Sequence, residues 1–203
     1  MRKAGIVGVH GRKQGKRRKP DLDPVPDLLE RDFTAERPNQ RWVADISEFK
    51  TGDGKLYVAA IRDLCHRGIV GWSMDDHHRA ELVVDALTMA LRRATPDEGG
   101  LIHHSDKGGE YLSNDLATTV ADVEGLKLSF GSTGDALDNA AMETVWGTIK
   151  REVDHIRDGV PFATRDEARA YLFEYIEVFY NRQRHQARLG HLTPAQYAAK
   201  FAA

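Results

Sequence analysis

Between residues 41 and 74 the chain passes through three apolar, strand-like stretches separated only by glycine-marked turns. Trp42, Val43, Ile46 and Phe49 mark the first, over residues 41–50, and residues 56–64 form the second. Gly52-Asp53-Gly54 between them is a strong turn signal, so the pair predicts a hairpin. Ile69-Val70-Gly71-Trp72-Ser73-Met74 follows Gly68 and completes an antiparallel meander. Beyond it the pattern alternates. Leu82, Val83, Ala86, Leu87, Ala90 and Leu91 fall at helical spacing over residues 80–94. Residues 101–104 are short and apolar enough for a buried strand. Residues 114–123 predict a helix with Asn114 as its cap, Leu126–Phe130 a strand, Ala140–Ile156 a long helix, and residues 165–180 another. Three strands followed by alternating helices and strands predict an α/β domain, a five-stranded mixed sheet flanked by helices.

Charge divides the chain. Residues 1–20 hold eight lysines and arginines and no acid, leaving 21 basic against 31 acidic residues elsewhere. Pro20, Pro24, Pro26 and Pro38 then punctuate an extended linker, with a short helical turn at Asp27-Leu28-Leu29-Glu30-Arg31-Asp32-Phe33. Residues 1–37 thus read as a basic arm plus linker, and residues 38–200 as the globular part. A basic arm on an acidic body suits a polyanionic partner, although a solvated tail explains the arm equally well. No apolar run approaches the roughly 18 residues needed to span a bilayer, and the N-terminus lacks a signal-peptide core. Cys65 is the only cysteine, which excludes an intrachain disulfide. These features predict a cytoplasmic protein with no membrane partner.

The chemistry is signalled by acids where acids are uncommon. Asp45 interrupts the first strand, inside Trp42-Val43-Ala44-Asp45-Ile46-Ser47, and aspartate is depleted in strands. Asp106 lies just past a short apolar strand, in His103-His104-Ser105-Asp106-Lys107-Gly108-Gly109-Glu110-Tyr111. Glu143 opens the long helix, in Gly134-Asp135-Ala136-Leu137-Asp138-Asn139-Ala140-Ala141-Met142-Glu143. Each has a plain structural explanation as well: a solvent-facing strand edge, a turn, and a helix N-terminus that favours an acid.

Taken together these stretches resemble the integrase-type core of bacterial insertion-sequence transposases, whose active site is an Asp-Asp-Glu triad. Ile69-Val70-Gly71-Trp72 and Tyr180-Asn181-Arg182-Gln183-Arg184-His185, with Pro194 and Tyr197, match further signatures in the family's order. Three departures stand out. Thirty-six residues separate Asp106 from Glu143, one more than is usual, which a longer loop around 125–134 would absorb. Lys107, Gly109 and Glu110 replace the usual Arg, Ser and Gln. The upstream helix-turn-helix region is missing, and residues 1–20 resemble its trailing end.

The resemblance implies a ribonuclease H-like fold and a transposase that nicks DNA and transfers strands. Asp45, Asp106 and Glu143 would be both catalytic residues and ligands of two Mg²⁺ (or Mn²⁺) ions, with Asp45 shared. Partners would be double-stranded DNA, further copies of the chain on that DNA, and a full-length transposase or separate helix-turn-helix protein. The setting would be the bacterial nucleoid. On the Glu143 helix, Lys150 lies near the acid's face with Arg151 beside it, opposite the stripe of Met142, Trp146, Ile149 and Val153. Lys107, Lys150, Arg151, Arg182 and Arg184 are therefore candidate DNA contacts, against the alternative of solvated surface. His104 is expected to support the Asp106 loop, and His77-His78 to lie in a surface turn. Two rival readings are a ribonuclease H-like nuclease and a truncated, non-enzymatic regulator that binds DNA.

Overall fold

The computed structural model describes residues 25–94, 96, 99–131 and 139–202; the basic arm and most of the 131–134 loop lie outside them. Strands β1 (Arg41–Thr51), β2 (Gly54–Asp63) and β3 (Ile69–Asp75) form the predicted antiparallel meander. Helix α1 (Ala80–Arg93) carries the chain over to β4 (Leu101–Ser105), and α2 (Asn114–Ala121) to β5 (Leu126–Phe130). Both β4 and β5 run parallel to β1, giving the order β3-β2-β1-β4-β5. This is the five-stranded mixed sheet flanked by helices that the sequence predicts.

Side-chain alternation along β1 divides the core into two layers. Val43 and Phe49 point to one face, with Leu56, Val58 and Ala60 of β2. There they meet Met142, Val145, Trp146, Ile149 and Val153 of α3 (Ala140–Ile156) and Leu172, Tyr175, Ile176 and Tyr180 further on. Trp42, Ala44, Ala59 and Ile61 point the other way, against Leu82, Leu87 and Ala90 of α1 and Leu116 and Val120 of α2. Each fully buried Leu or Ile stabilises the fold by about 1.5–3 kcal/mol. Gly71 permits the tightest approach: a Cβ there would sit 2.2 Å from the Ala86 carbonyl oxygen of α1.

Four expectations are revised. Ser113, not Asn114, caps α2, accepting from the Leu116 N–H at 3.2 Å, and the helix stops at Ala121. The expected helical turn near Leu29 is a left-handed turn instead, with Glu30 and Arg31 at positive φ and the Asp32 N–H donating to the Leu29 carbonyl at 2.8 Å; Leu29 itself is buried in the core. The segment around it is seated on the body, since Leu28 N–H donates to Ser129 Oγ and Phe130 N–H to the Pro26 carbonyl. It thereby covers the β5 edge, which would otherwise expose unpaired backbone. Finally, the helix expected over residues 165–180 is α4 (Arg165–Glu174) followed by a π-helix, Tyr175–Gln183. The wider turn lets Tyr175 and Tyr180, five residues apart, both enter the core. It also brings the Asn181 amide to the N–H and C=O of Ile69 on edge strand β3, each at 2.9 Å.

Candidate active site

Strand β1 lies between β2 and β4, but its pairing with β4 is short. The last matched pair is Val43 with His104. Carrying the same register two residues further sets Asp45 beside Asp106, just where β4 has ended and the neighbouring strands part. A cleft of about 360 Å³ opens there, and Asp45 and Asp106 both line it. Its other walls come from the β1–β2 hairpin (Ile46, Ser47, Glu48, Lys55, Tyr57), from His78 ahead of α1, and from Gly108, Glu110 and Tyr111.

Asp45 shares its side of β1 with Val43 and Phe49, so its carboxylate faces α3. Burial pushes that carboxyl up to about 7, and the charges of Asp106 and Glu143 add to the rise. The Ile46 N–H and Trp146 Nε1 oppose it, although Trp146 Nε1 falls short of full hydrogen-bond geometry. None of the largest influences on Asp45 is a cation. Asp106 Oδ1 accepts from the Gly108 N–H at 3.1 Å, which shapes its loop. Glu143 is exposed on the first turn of α3 and does not line the cleft, but it is near enough to Asp45 to repel it.

Two tethers position that turn, and neither was legible in the sequence. Buried Asn139 donates its Nδ2–H to the Ala44 carbonyl at 3.4 Å, one residue before Asp45. Buried Arg62 of β2 donates to the Ala141 carbonyl at 3.2 Å. Tyr111, which lines the cleft, is buried with no hydrogen-bond partner for its hydroxyl among the described residues. Burial, then the charges of Asp45, Asp106 and Glu110, hold its phenol pKa well above the usual value.

The candidate cations separate into two groups. Lys107 is exposed on the Asp106 loop, and Arg151 and Arg182 are exposed on α3 and the π-helix. Lys150 stands with its Nζ 5.6 Å from the centre of the Phe49 ring, on the α3 side of the sheet. Arg184, in contrast, is held by Glu152, with Nε 2.9 Å from both carboxylate oxygens and Nη2 2.6 Å from one. Tyr175 donates to the same carboxylate at 2.5 Å. His104, expected to support the Asp106 loop, lies on β4 two residues before Asp106. It is buried in the sheet, and its Nδ1 pairs with Ser129 Oγ at 2.8 Å.

Among the described residues, the group of three potential metal ligands with atoms all within 4.8 Å of one another is Asp75, Asp76 and His77. Arg169 already lies 3.8 Å from Asp75. Asp45, Asp106 and Glu143 are spread more widely than the cage of a single ion.

Two models described as "Integrase core domain" match the chain, over residues 35–136 and 143–201. It is 43% identical over 182 residues to the insertion element IS600 uncharacterized 31 kDa protein of Shigella sonnei, covering 89% of this chain and 65% of that one. It is 41% identical over 179 residues to the transposase InsF for insertion sequence IS3A of Escherichia coli, covering 87% and 60%. The chain thus spans less than two thirds of either relative. In fold it is similar to the HTLV-2 integrase catalytic core domain in complex with magnesium (trimeric form), with a TM-score of 0.61, 16% identity, and 81% of this chain and 99% of that one covered. That likeness identifies the fold as ribonuclease H-like. No described helix is long and apolar enough to cross a membrane.

Proposed function

This chain belongs to the integrase core domain family, and from that membership we propose that it cuts and joins DNA as the catalytic part of an insertion-sequence transposase. The observation that carries the reading is that Asp45 and Asp106 line one cleft beside the first turn of α3, with Asp45 repelled by both Asp106 and Glu143. Asp45 is held in mid-strand, repelled by both Asp106 and Glu143, and has no cation among its main influences. A buried carboxylate in that position is costly unless a positive charge arrives.

The donor set fits hard divalent cations such as Mg²⁺ or Mn²⁺, which prefer oxygen ligands. Asp45, Asp106 and Glu143 would hold them, with Asp45 as the shared ligand because it senses both other acids. Two ions rather than one would suit acids spread this widely. When bound, the ions would supply an activated attacking oxygen and a stabilised leaving 3′-oxygen. The chain's own contribution is placement. The ladder with β2 keeps Asp45 rigid, and Asn139 and Arg62 pin the helix that bears Glu143. Tyr111 walls the cleft with a buried ring. Lys150 and Arg151 on α3, with Lys107, are suited to neutralise phosphates of the bound DNA.

Residues 38–200 form the catalytic unit in this reading, with residues 1–37 as a basic arm and linker. Two DNA ends would be brought together by more than one copy of the chain, in the cytoplasm. The rival nuclease reading is not favoured, because the relatives are insertion-element proteins. The test is to incubate the protein with Mg²⁺, a duplex taken from the DNA flanking its coding sequence, and a target plasmid. Joined products are expected, and Asp45→Asn, Asp106→Asn and Glu143→Gln should each abolish them without unfolding the chain. Full joining by any of these variants would refute the assignment of that residue.

A further inference from the structure

The cleft that holds Asp45 and Asp106 continues past them onto the other face of the sheet. Glu143, Trp146 and Lys150 belong to α3, which packs on the Val43 and Phe49 side. Ile46 and Tyr57, which line the far wall, pack instead with the α1 layer. The acids therefore stand at a rim with a separate surface on each side. A reaction that joins two DNA segments needs two such surfaces.

The lysine of the far wall is already paired with a carboxylate. Lys55 Nζ is 2.7 Å from Glu48, and His78 Nδ1 is 2.6 Å from Glu110. Asp45 and Asp106 have no ion-pair partner among the described residues. A wall with two carboxylates, whose lysine is paired with one of them, makes a poor phosphate clamp. It does present an aromatic face. The His78 ring lies against Tyr57, with centroids 4.9 Å apart and planes tilted by 48°. With its side chain 58% exposed, His78 is backed by Tyr57 and oriented by Glu110. Anchored aromatic rings beside a nucleic-acid track serve as stacking surfaces, because every base has a π-face.

We propose that His78, backed by Tyr57 and anchored by Glu110, is a base-stacking platform for a second DNA segment, which enters opposite α3 with an unpaired nucleotide next to the reacting phosphodiester. The inference rests on the transposase reading for the need to hold two segments. Glu110 gains a role here, as the acid that fixes the imidazole.

The probe is a short duplex with a single-stranded overhang carrying 2-aminopurine, whose fluorescence falls on stacking. Wild-type protein should quench it. His78→Ala should lose the quenching and slow joining about ten- to hundred-fold, the range expected for one lost aromatic–base stack. His78→Phe should restore both, since it returns an aromatic ring without the ring nitrogens. Restoration by His78→Lys but not by His78→Phe would overturn the proposal in favour of a phosphate contact. So would quenching that is indifferent to His78 in a protein that joins DNA. A protein that joins nothing yet quenches in a His78-dependent way would refute the transposase reading and leave the platform standing.

Discussion

The side-chain amide of Asn139 donates to the main-chain carbonyl of Ala44, 3.4 Å away, and so binds the start of α3 to the residue preceding Asp45. Ala44 is the first β1 residue beyond the last pair with β4. The tether thus acts where the sheet opens.

Removing it should misplace Glu143 more than it unfolds the chain. Asn139→Ala is expected to slow joining about ten- to hundred-fold, the scale of a displacement near 1 Å at a reacting centre. Stability should fall by only about 1 kcal/mol. Single-turnover rates, a urea melt and calorimetric titration with Mn²⁺ check this. Unchanged Mn²⁺ affinity together with an unchanged rate would show that the amide positions nothing.

Asp45 makes the metal-free protein sensitive to alkali. Its carboxyl is raised from 3.8 to about 7, chiefly by burial. The folded state therefore favours the protonated form, and stability falls as pH climbs from about 4 through 7. The full shift corresponds to at most roughly 4 kcal/mol, and partial solvent access reduces the expected effect to about 1–2 kcal/mol. Without metal at pH 8, Asp45→Asn should be more stable than wild type by that amount, and the gain should vanish at pH 4. Mg²⁺ should stabilise wild type and leave the variant nearly unmoved. Thermal melts across pH, with and without Mg²⁺, give the answer.

Lys150 and Arg184 should behave oppositely on mutation, although both are basic and both were candidate DNA contacts. Lys150→Ala should lower the slope of log binding constant against log salt by about one, with the melt unchanged. Arg184→Ala should destabilise the chain by about 1–3 kcal/mol, because it strands the half-buried Glu152. Burial pushes the Glu152 carboxyl up, but the Arg184 and Tyr175 hydrogen bonds outweigh it and leave it below the usual 4.5. The contribution is accordingly present above that value and lost as pH falls through the lowered one, so the Arg184→Ala deficit should shrink in acid. An equal deficit at pH 7 and pH 3 would contradict the pairing.

Gly71→Ala tests the packing of α1. The added methyl would lie 2.2 Å from the Ala86 carbonyl oxygen and 2.7 Å from the Ala90 Cβ. A backbone neighbour cannot rotate away, so the helix must move, at a cost of about 1–3 kcal/mol or more. The urea midpoint reads it out, and a midpoint equal to wild type would mean that α1 shifts freely.

Much of this was legible because periodicity and misplaced acids are local signals. The meander, α1, β4, β5 and α3 follow from spacing and glycine turns, with ends wrong by a residue or two. Asp45 stood out because an acid in mid-strand needs a reason. What stayed hidden depends on partners distant in sequence. Nothing near Arg184 announces Glu152, and nothing near Glu110 announces His78. Arg62 reads as an interruption of a strand until the Ala141 carbonyl appears beside it. The π-helix was invisible for the same reason: Tyr171, Tyr175 and Phe179 fit an ordinary helix, and only the demands of Tyr180 and Asn181 widen it.

The double fastening of the first turn of α3 bears on how such chains tolerate changes in length. Because Asn139 and Arg62 locate Glu143 from the sheet itself, the spacer between the second and third acids need not measure out their separation. Its length becomes slack, free to gain or lose residues as lineages diverge, while the third acid returns to the same berth.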